Sequence, residues 1–274
     1  MEPGLYVVAT PMGNLGDITQ RALDTLGSVD LIAAEDTRVT RGLLAHYGIG
    51  AKLVAVHAHN ERTGAARVIE WIRAGKSVAF VSDAGTPAVS DPGALLVAGV
   101  RAAGLRVVPV PGVSALTAAL SVAGIEAHGV VFAGFLPVKG AERRERLAQL
   151  AAGPWAIALF EAPHRVSQTL ADLHAALGER DIVIARELTK MFETITRVAL
   201  REARAFVDAD PDRRRGEFVL VVEGRSVEAS PAIDARELLI TLLKELPVKS
   251  AVAIAVKLTG GKRNELYKLA LELK

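Results

Sequence analysis

The chain of 274 residues contains no cysteine. That excludes thiolate catalysis, disulfides and cysteine-ligated zinc, and fits a reducing, cytoplasmic setting. Aromatic residues make up only 4%, too few for a broad platform on which nucleic-acid bases could stack. Half of the residues are apolar, yet no run reaches the roughly 18 uncharged residues of a membrane span. The opening MEPGLYVVATP has an acidic second residue and no basic stretch, so no secretory leader is expected. The sequence also lacks a G-x-x-x-x-G-K-[ST] phosphate loop, a G-x-G-x-x-G turn after its first strand, a G-x-S-x-G elbow and an H-E-x-x-H helix. His57 and His59 stand two apart, on opposite faces of a continuing strand. That is poor ligand geometry, and no metal is expected.

What is present is unevenly charged. The formal net charge is +2, but residues 231–274 hold eight Lys/Arg against five acids, while the other 230 residues hold 25 against 26. A small basic appendage on a near-neutral body points weakly to a polyanionic partner.

The stretch Ser77–Gly93, SVAFVSDAGTPAVSDPG, organises the rest. Its apolar run Val78–Val81 reads as a strand buried on both faces. Turn-forming residues follow, and helical spacing resumes at Ala94–Val100, with Asp91 or Ser90 as the expected cap. Similar units precede it: strands at Leu5–Ala9, Leu31–Ala34 and Leu53–Val56, helices ending near Leu26 and His46, and a helix over Ala65–Ala74. A fifth strand, Val107–Val110, leads through Pro111–Ala115 into a helix ending at Ala123. Five near-continuous apolar runs alternating with helices predict a parallel five-stranded sheet covered on both faces. Every polar, glycine-rich loop falls at the carboxyl end of its strand, where open α/β sheets bind ligands.

The pattern changes near Gly124–Gly129. Strands are expected at Val130–Ala133, Ala156–Phe160, Ile182–Ala185, Thr194–Val198 and Phe218–Val222, with helices at Gly140–Leu150 and Val166–Leu177. Adjacent strands without a full helix between them predict a mixed sheet. The expected organisation is two α/β domains, 1–113 and 114–224, a polar linker over Gly224–Pro231, and a tail over 231–274. In the tail, helices over Ile233–Leu246, Ser250–Leu258 (capped by Ser250) and Asn264–Leu273 outline a helix-turn-helix around Thr259-Gly260-Gly261.

The rim of the first sheet gathers Asp36, Ser82, Asp83, Thr86, Asp91 and Ser114. Small residues, hydroxyls and carboxylates suit an adenosine-bearing, positively charged ligand held by backbone groups and negative potential. The plainest role for each carboxylate alone is a helix cap, Asp91 above all.

ATPMGNLGD (9–17), AEDTR (34–38), SDAGTPAVSDPG (82–93), PGVSA (111–115), FLP (135–137), EAPHR (161–165), RELTK (186–190) and GEFVLVVEG (216–224) together resemble the tetrapyrrole-methylase-like superfamily of S-adenosylmethionine-dependent methyltransferases. They are most similar to its ribosomal-RNA branch, and the tail SAVAIAVKLTGGKRNELYKLALEL is similar to that branch's helical extension. SDAGTP-x-x-SDPG separates this branch from the corrin and sirohaem enzymes, whose equivalent loop usually reads GDP. The resemblance implies 2′-O-methylation of a cytidine ribose in 16S rRNA of the small (30S) subunit, S-adenosylmethionine as donor, a cleft between two α/β domains, and a homodimer. Carried over by motif, the cofactor residues are Pro11, Ser82, Asp83, Ala84, Gly85, Thr86, Val89, Ser114, Ala115, Phe160, Leu188 and Phe218. Asp36 is the expected base and Lys190 the cation that steadies the oxyanion, with Asp17, Glu187 and His164 as alternates; Arg38, Arg165, Arg186 and the tail would hold phosphates. Two other readings share these residues: methylation of a small tetrapyrrole or corrin precursor, and an adenosine-binding module without catalysis.

Overall fold

A computed structural model describes residues 1–57, 61–125, 129–225 and 234–273. His59 and most of the expected linker lie outside the described residues. The described chain divides into a compact unit over Met1–Arg225 and a second over Ser226–Lys274. Both α/β halves expected from the sequence fall within the first.

Strands β1 (Gly4–Val8), β2 (Leu31–Ala34), β3 (Leu53–Ala55), β4 (Ser77–Val81) and β5 (Val107–Val110) form an all-parallel sheet in the order β3-β2-β4-β1-β5. Apolar residues occupy both alternating sets along these strands, so both faces are buried. On one face Leu5, Val78 and Phe80 meet Val68 and Ile72 of α3 (Glu61–Arg73) and Leu96 and Val100 of α4 (Ala94–Ala102). On the other, Tyr6, Val8, Ile32 and Val81 meet Leu26 of α1 (Gln20–Ser28) and Leu44 of α2 (Thr37–His46). Thr19 caps α1, its hydroxyl accepting from the Ala22 amide at 3.1 Å. α2 starts three residues earlier than its apolar spacing indicates, because Asp36 caps it.

Helix α5 (Ala115–Ala123) leaves the first sheet and lays Ala119 and Ala123 against Ala158, Val183, Val219 and Val221 of the second. That sheet comprises β6 (Val130–Phe135), β7 (Ala156–Glu161), β8 (Asp181–Arg186), β9 (Thr194–Ala199) and β10 (Phe218–Val222), ordered β6-β7-β10-β8-β9. It is mixed, as expected: β6 runs parallel to β7, and the other pairs are antiparallel. Its far face is covered by α6 (Gly140–Ala151), α7 (Val166–Leu177) and α8 (Leu200–Asp208). The sequence reading left α8 out. Its buried residues Leu200, Ala203 and Val207 have helical spacing, but they sit among the charged residues of LREARAFVD.

In the second unit, α9 (Ala235–Leu243), α10 (Val248–Thr259) and α11 (Arg263–Glu272) enclose their own core of Leu239, Ala251, Val252, Ala255, Leu266 and Ala270. Ser250 does not cap α10. The helix begins two residues earlier, behind Pro247, whose carbonyl accepts from Ser250 and Ala251. The tight turn after α10 is as expected, with Gly260 in the left-handed region at φ 67°.

Candidate functional site

The loops after β1 and β4, neighbours in the sheet, are joined by their backbones. Thr10 and Gly85 exchange two N–H···O bonds of 2.9 Å. Thr86 Oγ1 donates to the Val113 carbonyl at 2.9 Å, which draws in the loop after β5. The loop after β2 joins through Asp83 Oδ1, which accepts from the Asp36 amide at 3.0 Å. Four of the five loops expected along one rim therefore meet there; of the fifth, residues 58–60 lie outside the described residues.

The SDAGTPAVSDPG loop does not end in the expected cap. Neither Ser90 nor Asp91 caps α4; its N-cap is Gly93, with no side-chain capping bond. The acceptor comes from α3: Glu61 Oε1 takes the amides of Gly93 (2.9 Å), Leu95 (2.9 Å) and Leu96 (3.1 Å). Gly93 has φ 127°, and a Cβ there would lie 2.4 Å from Cε1 of Phe80, so glycine is required where the loop crosses the ring. Sequence spacing between Asp91 and α4 could not reveal a carboxylate arriving from 32 residues away.

Facing this loop across a cavity is RELTKMF, between β8 and β9. The two loops share a backbone device. Ala88 and Ser90 (φ 66° each) flank Val89, and Glu187 (φ 52°) and Thr189 (φ 66°) flank Leu188. Left-handed geometry at a non-glycine residue costs about 1–2 kcal/mol. In both loops the residue between the strained pair lines the cavity.

The cavity, of about 330 Å³, is lined from both halves of the first unit. The first half contributes Met12, Ala84, Gly85, Thr86, Val89, Asp91, Ser114 and Ala115; the second contributes Phe135, Phe160, Glu161, Ala162, Pro163, Leu188, Glu217, Phe218 and Val219. Nine of the twelve expected cofactor residues are among them. Pro11, Ser82 and Asp83 are not: Ser82 is buried, its hydroxyl turned to the Ala84 carbonyl at 3.3 Å, and Asp83 braces Asp36. Met12, Phe135, Glu161 and Glu217 lie within motifs quoted above but are not among the expected cofactor residues; Asp91 is expected on the ligand-binding rim and, taken alone, as a cap.

Asp36 lies outside the cavity lining. Its carboxylate accepts from the Arg38 amide and grips the Arg38 guanidinium through Nε and Nη2. Those bonds hold its pKa at about 2, too low for a useful base. Lys190 is also outside the lining, but it touches the rim. Its Nζ donates to Glu187 (2.9 Å) and to Glu217 (2.8 Å), and its stem lies over Gly13, where a Cβ would come 2.5 Å from Lys190 Cγ. Burial works against its charge, but the two carboxylates outweigh it and its pKa is raised, so Lys190 stays an ammonium.

Among the alternates, Glu187 is taken up by Lys190 and the Glu217 amide, and neither Asp17 nor His164 lines the cavity. Arg186 spends its guanidinium on Thr194 and on the carbonyls of Asp212, Arg215 and Phe192. Arg165 spends its own on Leu136, Pro137 and Glu161. Both arginines therefore fasten loops, whereas Arg38 is 85% exposed and paired with Asp36.

The lining holds three carboxylates and, among the described residues, no lysine or arginine. Asp91 is set apart. Its carboxylate opens to the solvent of the cavity, yet enough protein surrounds it that lost hydration, followed by the negative charges of Glu35, Asp83 and Glu217, raises its pKa to about 6 against the opposing Ser82 hydrogen bond. Burial likewise raises Glu35. Among the described residues no His, Asp or Glu cluster has a metal-binding arrangement, and no helix is long and apolar enough to cross a membrane.

The pattern of the tetrapyrrole (corrin/porphyrin) methylases matches residues 4–204, and that of the RsmI C-terminal HTH domain matches residues 229–274. The chain is 50% identical over 268 residues to a ribosomal RNA small subunit methyltransferase I of Xylella fastidiosa (strain Temecula1), covering 97% of this chain and 98% of that one. It is 49% identical to the protein of that name from Escherichia coli O157:H7, covering 98% and 94%. The uroporphyrin-III C-methyltransferase of Thermus thermophilus, solved in complex with S-adenosylhomocysteine, shares the fold. Its TM-score is 0.56 at 19% identity, over 80% of this chain and 97% of that one.

Proposed function

We infer function from the premise that this chain belongs to the tetrapyrrole (corrin/porphyrin) methylase family, within its ribosomal RNA small subunit methyltransferase I group. We propose that it transfers a methyl group from S-adenosylmethionine to the ribose 2′-oxygen of a cytidine in 16S rRNA of the 30S subunit, in the bacterial cytoplasm and as a homodimer.

The observation that carries this reading is the cavity lining: apolar walls and three carboxylates with, among the described residues, no lysine or arginine. Such a lining fits a nucleoside that bears a positive sulfonium and would repel a nucleoside phosphate. Near-full-length identity to ribosomal RNA methyltransferases, tail included, favours RNA over a macrocycle as acceptor.

When bound, the donor supplies a methyl group already activated on sulfur. The chain's residues bind, orient and dry it. The backbone amides of Ala84 and Thr86 and the uncapped start of α5 at Ser114 and Ala115 would hold polar edges. Val89, Leu188, Phe160 and Phe218 would form apolar walls that exclude water. Pro11, Ser82 and Asp83 act from behind as braces. Lys190, neutralised by two carboxylates, ties the first loop to the second half through Gly13 and Glu217. We assign it that strut in place of oxyanion stabilisation. Asp36 we assign to capping α2.

The test is methyl transfer from labelled donor to 30S subunits taken from cells that lack this protein, followed by ribose-methylation mapping. One new 2′-O-methyl cytidine in 16S rRNA is expected. Label in a base, or uptake by a porphyrinoid and none by the subunit, overturns the reading.

A further inference from the structure

We propose that Asp91 is the catalytic residue that takes the proton from the acceptor hydroxyl. This rests on the methyl-transfer reading above and names the base that the reading leaves open.

Position is the first argument. Asp91 lines the cavity, three residues ahead of the first residue of α4, the helix that the sequence expects it to cap. Glu61 has taken over that work with three amides, so the Asp91 carboxylate is not needed by the fold where it stands. The left-handed turn at Ala88 and Ser90 is the strained connection that presents it.

Comparison with its neighbours is the second. Of the three carboxylates in the lining, Glu161 is engaged by the Thr169 hydroxyl (2.5 Å), the Ala162 amide (2.8 Å) and Arg165 Nε (3.3 Å). Glu217 is bound to Lys190. Asp91 has no ion pair among the described residues; Ser82, whose hydroxyl donates to the Ala84 carbonyl, lies beside it.

The groups facing Asp91 are Glu35 from the end of β2, Asp83 and Ser82 from the loop after β4, and Glu217 from the start of β10, itself tied to Lys190. The three acids and the loss of water lift its pKa to about 6. At neutral pH such a group is still mostly ionised, yet more basic than an ordinary aspartate, as general-base catalysis requires.

The step balances. The 2′-O–H bond breaks and its proton passes to an Asp91 carboxylate oxygen. The freed electron pair on oxygen forms the bond to the methyl carbon, and the C–S pair leaves with sulfur as the neutral thioether. The aspartic acid then returns its proton to water.

The test compares wild type with Asp91→Asn and Asp91→Glu, using 30S subunits and S-adenosylmethionine, with donor affinity measured separately by calorimetry. Asp91→Asn is expected to lower kcat by about 10²–10⁴-fold and, because one of three lining carboxylates is neutralised, to weaken donor binding by a much smaller factor, about tenfold or less. It should also abolish the rise of kcat/KM with pH near 6, while Asp91→Glu restores part of the rate. Retention of more than a tenth of kcat, survival of that pH limb, or a loss of donor affinity as large as the loss of rate overturns the proposal. Wild-type turnover beside an unaffected Asp91→Asn sinks the base alone. Absence of wild-type turnover sinks the function itself.

Discussion

Replacing Glu61 by alanine should strongly destabilise the first unit. Glu61 is 7% exposed, and one of its oxygens accepts three amides at the start of α4. Gly93 and Leu96 are buried, so truncation leaves two donors without water or partner, at about 1–3 kcal/mol each. Loss of negative charge at a helix N-terminus adds roughly 0.3–1 kcal/mol. The Leu95 amide is only part-buried, and water can repair it. The expected total is about 2–7 kcal/mol, a large fraction of the roughly 5–15 kcal/mol that stabilises a typical domain. Glu61→Gln keeps an acceptor oxygen and should cost about 1 kcal/mol. Urea unfolding followed by circular dichroism measures this: with a slope near 3 kcal/mol/M, taken as the upper end of the usual range, the midpoint should fall by about 0.8–2.3 M for alanine. Amide exchange at Gly93, Leu95 and Leu96 should quicken in parallel. A midpoint within about 0.3 M of wild type, or unchanged exchange at those three amides, would refute the cross-element cap.

Other expectations follow from the same contacts. Gly13→Ala should weaken donor binding by about tenfold, because its Cβ would strike the Lys190 stem; adding Lys190→Ala should recover part of that loss, and simple additivity in calorimetry would count against the strut. Asp36→Ala should leave kcat within about threefold of wild type, since that carboxylate is bound to Arg38; a hundredfold loss would return Asp36 to the chemistry. Asp30, held by the Ser77 amide and hydroxyl and by Lys76, and Asp36, held by Arg38, both have pKa values lowered to about 2. Their contribution to stability is therefore complete above about pH 4 and lost as pH falls through 2. Carboxyl-carbon NMR titration should find both midpoints well below the ordinary aspartate value, and midpoints near 4 would contradict these hydrogen bonds.

The first sheet was legible because its strands are buried on both faces. Runs such as Leu31–Ala34 and Val107–Val110 are bounded by glycines and acids, and their expected limits coincide with the observed ones. The mixed second sheet was legible from the missing crossover helix between β8 and β9. α8 was not, because three apolar contacts in nine residues do not stand out from so many charges. At the site, small residues and glycines marked the loops that border one cavity, and nine of the twelve expected cofactor residues are in its lining. The roles of the charged residues were hidden. Whether Asp36 or Asp91 is spare depends on which amides each accepts, and the decisive acceptor, Glu61, comes from another helix. The arginines of EAPHR and RELTK looked like phosphate binders because nothing in their own segments announces the carbonyls they fasten.

The paired main-chain bonds between Thr10 and Gly85 have an evolutionary corollary. A ledge stitched by peptide groups alone survives replacement of nearly every side chain along it. Descendants could exchange one acceptor for another by altering only what projects from the ledge. The fold shared with a uroporphyrin methyltransferase leaves room for such an exchange.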